Sequence, residues 1–370
     1  MRLAMVSRAA LNSLVVLVPR QGRIRLQGTA AAFVTSNPGQ QWTAVASGKR
    51  GIDRDGVPSS TFPLNSLSPK VRAGRSKRGT AVSASSLPAA ANEAAAGVCA
   101  EVWPVPILSD NYAYLLIDPT TGKAACVDPA EPDKVIAAAK ARGVEISAIL
   151  CTHKHWDHSG GNEAMKKMIP HLEVVSSAYE DDVPGMTLAL KDKEEYCLGS
   201  LTIRALHTPC HTRGHVLFYV TNSEDTGSAP LVFSGDTLFV GGCGRFFEGD
   251  ASQMLHALLG VAAKLPVETR VFCGHEYTVS NLQFAKSVEP ESVSIADKLD
   301  WSRKILANKG YTVPSTIAQE LEHNPFMRVN EDAVRKATGS SDGVGAMARL
   351  REMKNGFRPP PETPGRFPAL

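Results

Sequence analysis

The sequence lacks the features of a membrane protein and of a disulfide-rich secreted protein. No apolar run approaches the ~20 residues that a membrane-spanning helix needs. The longest run, residues 14–18, is closed by Pro19 and Arg20. The 370 residues include only seven cysteines, an odd number with no Cys-x-x-Cys pair. These absences argue against a membrane association and a disulfide framework, and they favour a reducing compartment.

Acidic residues are almost missing from the first quarter of the chain. Residues 1–92 carry thirteen Lys and Arg against Asp53 and Asp55, whereas the remainder carries 27 basic and 35 acidic residues. An Arg-rich, acid-poor start is typical of organelle transit peptides, so residues 1–95 are predicted to be a disordered leader for a mitochondrion or plastid. Because the remainder is acidic, its bulk charge argues against a nucleic-acid partner.

The remaining length is enough for about two domains. Residues 96–277 alternate short apolar runs with helix-like stretches, a pattern that predicts an α/β fold. Their first two strands form a hairpin, with residues 109–111 as the turn. Residues 278–370 show a helical pattern and are predicted to form a smaller, all-helical C-terminal domain.

Residues 152–158 place three histidines and an aspartate in one loop. The apolar run 146–152 predicts a buried strand before this loop. Further predicted strands end near other donors, and sites in α/β sheets lie beyond the carboxyl ends of strands. The collected candidates are His153, His155, Asp157, His158, His211, Asp236 and His275.

Seven imidazole and carboxylate donors are too many for a single tetrahedral zinc ion. They suit a pair of divalent metal ions in one site. Zinc is the first expectation, and iron and manganese accept the same ligand types.

The pattern Thr-His-x-His-x-Asp-His, followed by a downstream His, Asp and His, resembles the metallo-β-lactamase superfamily. Within that superfamily, four further stretches are similar to the glyoxalase II (hydroxyacylglutathione hydrolase) family. They are residues 208–212, 235–239, 242–249 and 274–278. The resemblance runs from about residue 102 to residue 358. It implies an αββα sandwich, residues 96–277, followed by a helical glutathione-binding domain, residues 278–370.

The resemblance also implies an activity and a role for each metal ligand. The implied reaction is hydrolysis of S-D-lactoylglutathione to D-lactate and glutathione, a step of methylglyoxal detoxification. The chain itself is expected to be a monomer. One metal would be bound by His153, His155 and His211. The other would be bound by Asp157, His158 and His275, with Asp236 bridging the two. Asp157 and Asp236 are the carboxylates of the implied catalytic centre.

Glutathione carries two carboxylates, so its pocket needs cations on an otherwise acidic protein. The resemblance assigns substrate binding to Arg245, Phe247, Tyr277, Asn281, Arg351 and Lys354. Two of these positions differ from the animal members of the family, which have Lys at 245 and Tyr at 247. Arg keeps the charge, whereas Phe247 supplies no hydroxyl to hydrogen-bond glutathione.

Two other functions remain open at this point. One is a mononuclear iron dioxygenase of the same superfamily that acts on glutathione persulfide. The helical C-terminal part with Asn281, Arg351 and Lys354 favours the hydrolase over this alternative. The other is a non-catalytic metal-binding protein. A missing ligand would indicate it, and none of the seven is missing.

Three residues near the predicted ligands are given supporting roles. Asp128 ends a strand at the same edge and is expected to orient the ligand loop from outside the metal shell. His215 is expected to be structural. Cys210, beside His211, is expected to be a packed thiol, since a free cysteine is usually buried and unreactive.

Overall fold

Two six-stranded β-sheets form the centre of this computed structural model, which describes residues 97–359. The predicted leader, residues 1–95, lies outside the described residues. In chain order, the first sheet contains β1 (Glu101–Ile107), β2 (Asn111–Ile117), β3 (Ala124–Val127), β4 (Ile146–Leu150), β5 (Glu173–Ser177) and β6 (Leu188–Leu190). Strands β1 to β3 pair antiparallel, and β3 to β6 pair parallel.

The second sheet and a small ribbon follow. The remaining strands are β7 (Glu195–Leu198), β8 (Leu201–His207), β9 (Val216–Asn222), β10 (Leu231–Gly235), β11 (Leu238–Phe239), β12 (Gly242–Cys243), β13 (Arg270–Cys273) and β14 (Ser315–Thr316). The sheet order is β14-β13-β10-β9-β8-β7, and β11 pairs with β12 as a separate ribbon. Strands β10 and β13 are parallel, so their carboxyl ends lie at one edge of the sheet.

Nine α-helices surround the sheets in the described residues. They are α1 (Pro132–Arg142), α2 (Trp156–Ser159), α3 (Asn162–Met168), α4 (Ala251–Leu255), α5 (Thr278–Val288), α6 (Val293–Ala307), α7 (Ile317–His323), α8 (Asp332–Thr338) and α9 (Gly343–Gly356). Within residues 97–359, no helix has both the length and the apolar character needed to cross a bilayer.

The hydrophobic clusters define the layers of the fold. One hydrophobic cluster, including Leu116 and Phe233, fills the space between the sheets. Helices α1 and α3 cover the outer face of the first sheet, and α4, α5 and α9 cover that of the second. The predicted αββα sandwich is therefore confirmed. All seven residues of β2 are buried because that strand packs against apolar layers on both faces.

The helical segment that begins at Ala251 does not continue as one regular α-helix. Helix α4 is followed by a π-helical stretch, His256–Val261, and a 3-10 turn, Ala262–Lys264. Gly260 lies against the His256 ring, where a Cβ atom would be 2.6 Å from its Nδ1. The wider π turn accommodates an extra residue that a regular helix would not.

The helical C-terminal part is joined to the second sheet rather than separate from it. Its strand β14 pairs with β13, and apolar residues of α5, α7 and α9 share one cluster with β9 and β10. The region is thus helical with one short strand. The division between residues 277 and 278 stays a prediction.

A buried carboxylate connects this helical part to the β11–β12 ribbon. Glu320 is fully buried, and its Oε2 accepts hydrogen bonds from the Gly241 amide (2.9 Å) and from Asn324 Nδ2 (3.0 Å). Its Oε1 accepts from Ser315 Oγ (2.5 Å) and lies 3.2 Å from His323 Nε2. Burial opposes the charge of Glu320, but His323 and the other donors outweigh it and lower the pKa of the carboxyl.

Replacing this carboxylate is expected to destabilise the fold. Glu320→Ala leaves the Gly241 amide and His323 Nε2 without their acceptor and removes one of the acceptors of Asn324 and Ser315, so the free energy of unfolding is expected to fall by about 3 kcal/mol. Urea denaturation followed by circular dichroism measures the change. Glu322→Ala, an exposed glutamate on the same helix, is the control and should change stability by less than about 0.5 kcal/mol. Equal effects of the two substitutions would contradict the role given to Glu320.

Candidate metal centre and substrate pocket

The seven predicted ligands lie in loops at one edge of the sandwich. His153 and His155 follow β4, and the short helix α2 then presents Asp157 and His158. The other three, His211, Asp236 and His275, follow β8, β10 and β13. The two sheets are joined at this edge, because the Val216 amide donates to the Thr152 carbonyl at 3.1 Å.

The donor atoms form three overlapping groups, each with its ligand atoms within 4.8 Å of one another: His153, His155 and His211; Asp157, His158 and His275; and His153, His158 and Asp236. In the first group, His155 Nδ1 lies 3.0 Å from both His153 Nε2 and His211 Nε2. We call His153, His155 and His211 the first triad.

The second triad consists of Asp157, His158 and His275. The Nε2 atoms of His158 and His275 are 3.3 Å apart, and Asp157 Oδ2 is 3.4 Å from His275 Nε2. Asp236 lies between the triads. Its Oδ2 is 3.4 Å from His211 Nε2 and from His275 Nε2, and its Oδ1 is 3.4 Å from His158 Nε2.

Hydrogen bonds at the outer ring nitrogens orient four of the histidines. The Nδ1 atom of His275 lies 2.8 Å from Asp110 Oδ1, and that of His158 lies 3.0 Å from Asp128 Oδ2. His211 Nδ1 lies 2.9 Å from the Arg245 carbonyl.

For the fourth histidine, Thr152 donates its hydroxyl hydrogen to Asp128 and lies 3.0 Å from His153 Nδ1. In each case the proton belongs on Nδ1. The Nε2 lone pair is then free to point inward, as metal-bound histidines require.

These residues fit a pair of divalent cations. Inward nitrogens of both triads lie 3.4 Å from the Asp236 carboxylate, and Asp236 Oδ1 is buried with no hydrogen-bond partner among the described residues. Burial opposes the charge of Asp236, but the surrounding histidines hold the pKa of its carboxyl well below the usual range.

The histidine pKa values differ between the triads. Burial, helped by the neighbouring histidines, lowers the pKa of His153 well below its usual value. Burial also acts on His275, but the carboxylates of Asp236, Asp110 and Asp157 outweigh it and raise the pKa. The centre thus combines neutral imidazoles with carboxylates that attract positive charge, the donor set of a divalent metal site.

Comparison with known proteins agrees with this geometry. Residues 108–275 match the family model "Metallo-beta-lactamase superfamily", and residues 276–357 match "Hydroxyacylglutathione hydrolase C-terminus". The cytoplasmic hydroxyacylglutathione hydrolase of Arabidopsis thaliana is 47% identical over 259 residues, which cover 70% of this chain and 99% of that protein. This chain belongs to the hydroxyacylglutathione hydrolase family.

Other relatives extend the comparison. The hydroxyacylglutathione hydrolase of Dictyostelium discoideum is 43% identical over 232 residues, covering 62% of this chain and 86% of that protein. Among solved structures, ETHE1 from Myxococcus xanthus matches with a TM-score of 0.50 and 25% identity, covering 70% of this chain and 93% of that one. The superfamily fold and the family's C-terminal region are thus both present.

One pocket adjoins the two triads, and all six predicted substrate residues line it. Tyr277 stacks on His275, with ring centroids 4.6 Å apart and planes inclined by 6°. The centroid of the Phe247 ring lies 5.1 Å from that of the His211 ring and 5.7 Å from that of the His155 ring. The Phe247 side chain is exposed, and so is Arg245.

The other three predicted substrate residues also hold the protein's own backbone. Asn281 donates to the Val240 carbonyl at 3.1 Å. Arg351 is buried, and its Nη1 donates to the carbonyls of Cys243 (3.0 Å) and Gly244 (3.4 Å). Lys354 Nζ donates to the Ser280 carbonyl at 2.9 Å. Arg351 and Asn281 therefore shape the pocket wall as well as line it.

Several supporting residues were anticipated and others were missed. Asp128 contacts His158 as expected, and burial raises the pKa of Cys210 to about 12, as befits a packed thiol. His215 is buried, and its Nε2 accepts a hydrogen bond from the Asp236 amide at 3.0 Å.

Asp110 and Asn111 were assigned only to a turn. In the structure Asp110 holds His275, and Asn111 Nδ2 donates to Asp157 Oδ2 at 2.9 Å. No local pattern reveals this role. It depends on the start of β2 meeting the end of β13, where the Tyr112 amide donates to the Gly274 carbonyl at 2.9 Å.

Proposed function

We propose that this chain hydrolyses S-D-lactoylglutathione to D-lactate and glutathione, using two divalent metal ions bound by the seven donors described above. The observation that carries this proposal is one pocket lined by two chemically different sets of side chains. Predicted metal ligands such as His155 and His275 line it, and so do the cations of Arg245, Arg351 and Lys354.

The residues of the chain have distinct parts in this reaction. When bound, the metal ions would polarise the thioester carbonyl and lower the pKa of a water molecule that attacks it. The first triad and the second triad hold the ions, with Asp236 between them. Arg245 and Lys354 supply positive charge for the carboxylates of glutathione. The Tyr277 ring, fixed against His275, positions the substrate beside the metal centre.

We propose zinc as the resident metal, because the site offers only nitrogen and carboxylate oxygen donors. Iron and manganese accept the same donors, so quantification of metals in the purified full-length chain decides between them. A monomer is also proposed, since every residue assigned to the site comes from one chain.

The leader is proposed to direct the protein to a mitochondrion or plastid. The Arabidopsis relative, which is called cytoplasmic, is 99% covered by the 259 matched residues, so this chain has additional residues beyond that match. Residues 1–95 fused to a fluorescent protein should accumulate in one of these organelles. Uniform cytoplasmic fluorescence would contradict this proposal.

Thioester hydrolysis is tested on the purified full-length chain loaded with zinc. Loss of thioester absorbance with S-D-lactoylglutathione is the expected result. The same acyl group on a small thiol without carboxylates should be a poor substrate, because it leaves Arg245 and Lys354 without partners. Oxygen uptake with glutathione persulfide, without thioester hydrolysis, would instead establish the dioxygenase. A metal-free, inactive protein would indicate the non-catalytic alternative.

Substrate affinity is expected to depend on pH through Lys354. Burial, with the positive charge of Arg351 nearby, lowers the pKa of Lys354 to about 7. The side chain is therefore cationic at pH 6 and mostly neutral at pH 8. Because only the cation attracts a carboxylate, KM should rise about tenfold between these values.

Lys354→Arg is the matched control, since arginine stays charged throughout this range. Its KM should be nearly constant from pH 6 to pH 8. An identical rise in the variant would assign the pH dependence to another group.

A further inference from the structure

Glu180 is a buried carboxylate that no ligand or substrate motif includes. It lies just after β5, and its side chain is fully enclosed. Its Oε1 accepts a hydrogen bond from the Lys154 amide at 3.3 Å, and its Oε2 accepts one from Thr212 Oγ1 at 2.8 Å. Lys154 stands between His153 and His155, and Thr212 follows His211. One side chain thus contacts both loops that carry the first triad.

The backbone around Glu180 is built to admit it. Gly214 lies directly against this residue, where a Cβ atom would come within 2.2 Å of the Glu180 backbone and 2.4 Å of its Oε2. Any larger residue at 214 would displace the carboxylate. The loop after His211 therefore packs directly against Glu180 at Gly214.

An ion pair extends the same connection towards the surface. Lys154 Nζ lies 3.9 Å from Glu180 Oε1 and 3.0 Å from Glu248 Oε1. Glu248 Oε2 in turn accepts a hydrogen bond from the Arg213 amide at 2.8 Å. The Glu180 side chain is buried, whereas that of Glu248 is partly exposed. Solvent and salt therefore screen the contact with Glu180 less than the contact with Glu248.

The second triad has its own supports. Asp110 contacts His275, Asp128 contacts His158, and Asn111 contacts Asp157. None of the contacts described for Glu180 reaches this triad. Loss of Glu180 should consequently affect one half of the metal centre and spare the other.

We propose that Glu180 is a positioning residue that sets the spacing between the His153/His155 loop and the His211 loop, and thereby the metal affinity of the first triad. This inference rests on the two-metal centre of the proposed function. It requires no contact between Glu180 and the substrate. Outer supports of this kind typically change metal affinity by about 10–100-fold.

The test is a metal titration of the full-length apo chain with Zn²⁺ against a competing chelator. Wild type should bind two ions. In Glu180→Ala, one ion should bind as before, and the other should bind about 10–100-fold more weakly. Glu180→Gln should restore both affinities to within about threefold, because its amide can accept from Lys154 and donate to Thr212.

Asp118→Ala is the matched control. Asp118 is an equally buried carboxylate whose partners, Thr120, Thr121 and Ser200, contain none of the predicted ligands. This variant should lower Tm and leave both zinc affinities unchanged. Equal weakening of zinc binding in the two alanine variants would mean that Glu180 contributes only to general stability, and it would overturn the proposal. So would equal loss of both ions, or no loss, in Glu180→Ala.

Double variants identify the triad that Glu180→Ala affects. When His275→Ala is already present, Glu180→Ala should weaken binding of the remaining ion. When His155→Ala is present instead, it should not. The reverse pattern would overturn the assignment. Should Glu180→Ala fail to fold, Thr212→Val removes one of the two contacts without opening a cavity and should weaken the same ion.

Zinc binding is measured without any substrate, so it is independent of the reaction. A chain that does not hydrolyse thioesters but loses one ion selectively in Glu180→Ala would refute the proposed function and support this inference.

Discussion

Asp236→Ala is expected to release both metal ions and to lower kcat/KM by more than about 100-fold, beyond what the loss of an outer-shell partner costs. The carboxylate contacts both triads, through Oδ1 to His158 and through Oδ2 to His211 and His275. Its removal leaves six donors and takes away the negative charge that lies between the two triads. Metal quantification and thioester hydrolysis on the same preparations measure the two effects.

Comparison with His155→Ala separates a shared ligand from a ligand of one triad. His155 contacts only the first triad among the predicted ligands, so this variant should retain one ion. Retention of two ions in Asp236→Ala, or near-normal turnover, would show that Asp236 is not a metal ligand. Circular dichroism of each variant establishes that the fold is intact.

Arg351→Ala is expected to lower kcat as well as to raise KM, each by about tenfold or more, since one hydrogen bond to a charged group contributes about 1.5–3 kcal/mol. Its guanidinium holds the carbonyls of Cys243 and Gly244. The next carbonyl, that of Arg245, accepts the hydrogen bond that orients His211. Loss of Arg351 should therefore disturb a ligand in addition to the pocket. Steady-state kinetics with S-D-lactoylglutathione give both constants.

Lys354→Ala is the comparison for this effect, because Lys354 lies on the same helix and contacts Ser280 rather than the loop beside His211. It should raise KM and leave kcat within about twofold, as expected for a group that binds ground state and transition state equally. Matching effects in the two variants would mean that Arg351 acts only through substrate binding.

Much of the architecture is predictable because its signals are local. The apolar run 146–152 predicts a strand correctly, and the ligand loop begins where that strand ends. The helical character of the C-terminal part is also visible in the sequence. Strand β14 is not, because two residues carry no periodic pattern. It exists because β13 offers it an edge. The π-helical stretch at residues 256–261 likewise carries no distinct sequence pattern.

The buried carboxylates that hold loops in place lie beyond sequence reasoning for a different physical reason. Asp110, Glu180 and Glu320 are single carboxylates in ordinary surroundings, and a lone acidic residue normally indicates a solvated surface. Their burial results from contacts with segments distant in the chain, such as the loops beside His211 and Gly241. Only assembled sheets place those donors around them.

The sequence by itself determined the superfamily, the donor types and the strand ends that carry them, because ligand chemistry and strand periodicity are encoded in neighbouring residues. The family resemblance already implied how the donors divide, and the tertiary structure supplies the geometry of that division. It places His153, His155 and His211 in one triad and Asp157, His158 and His275 in another, with Asp236 between them. It also decided that Arg351 holds the backbone beside His211 and that Glu180 joins two ligand loops. These outcomes depend on distances between segments up to 117 residues apart, and sequence spacing contains no information about such distances.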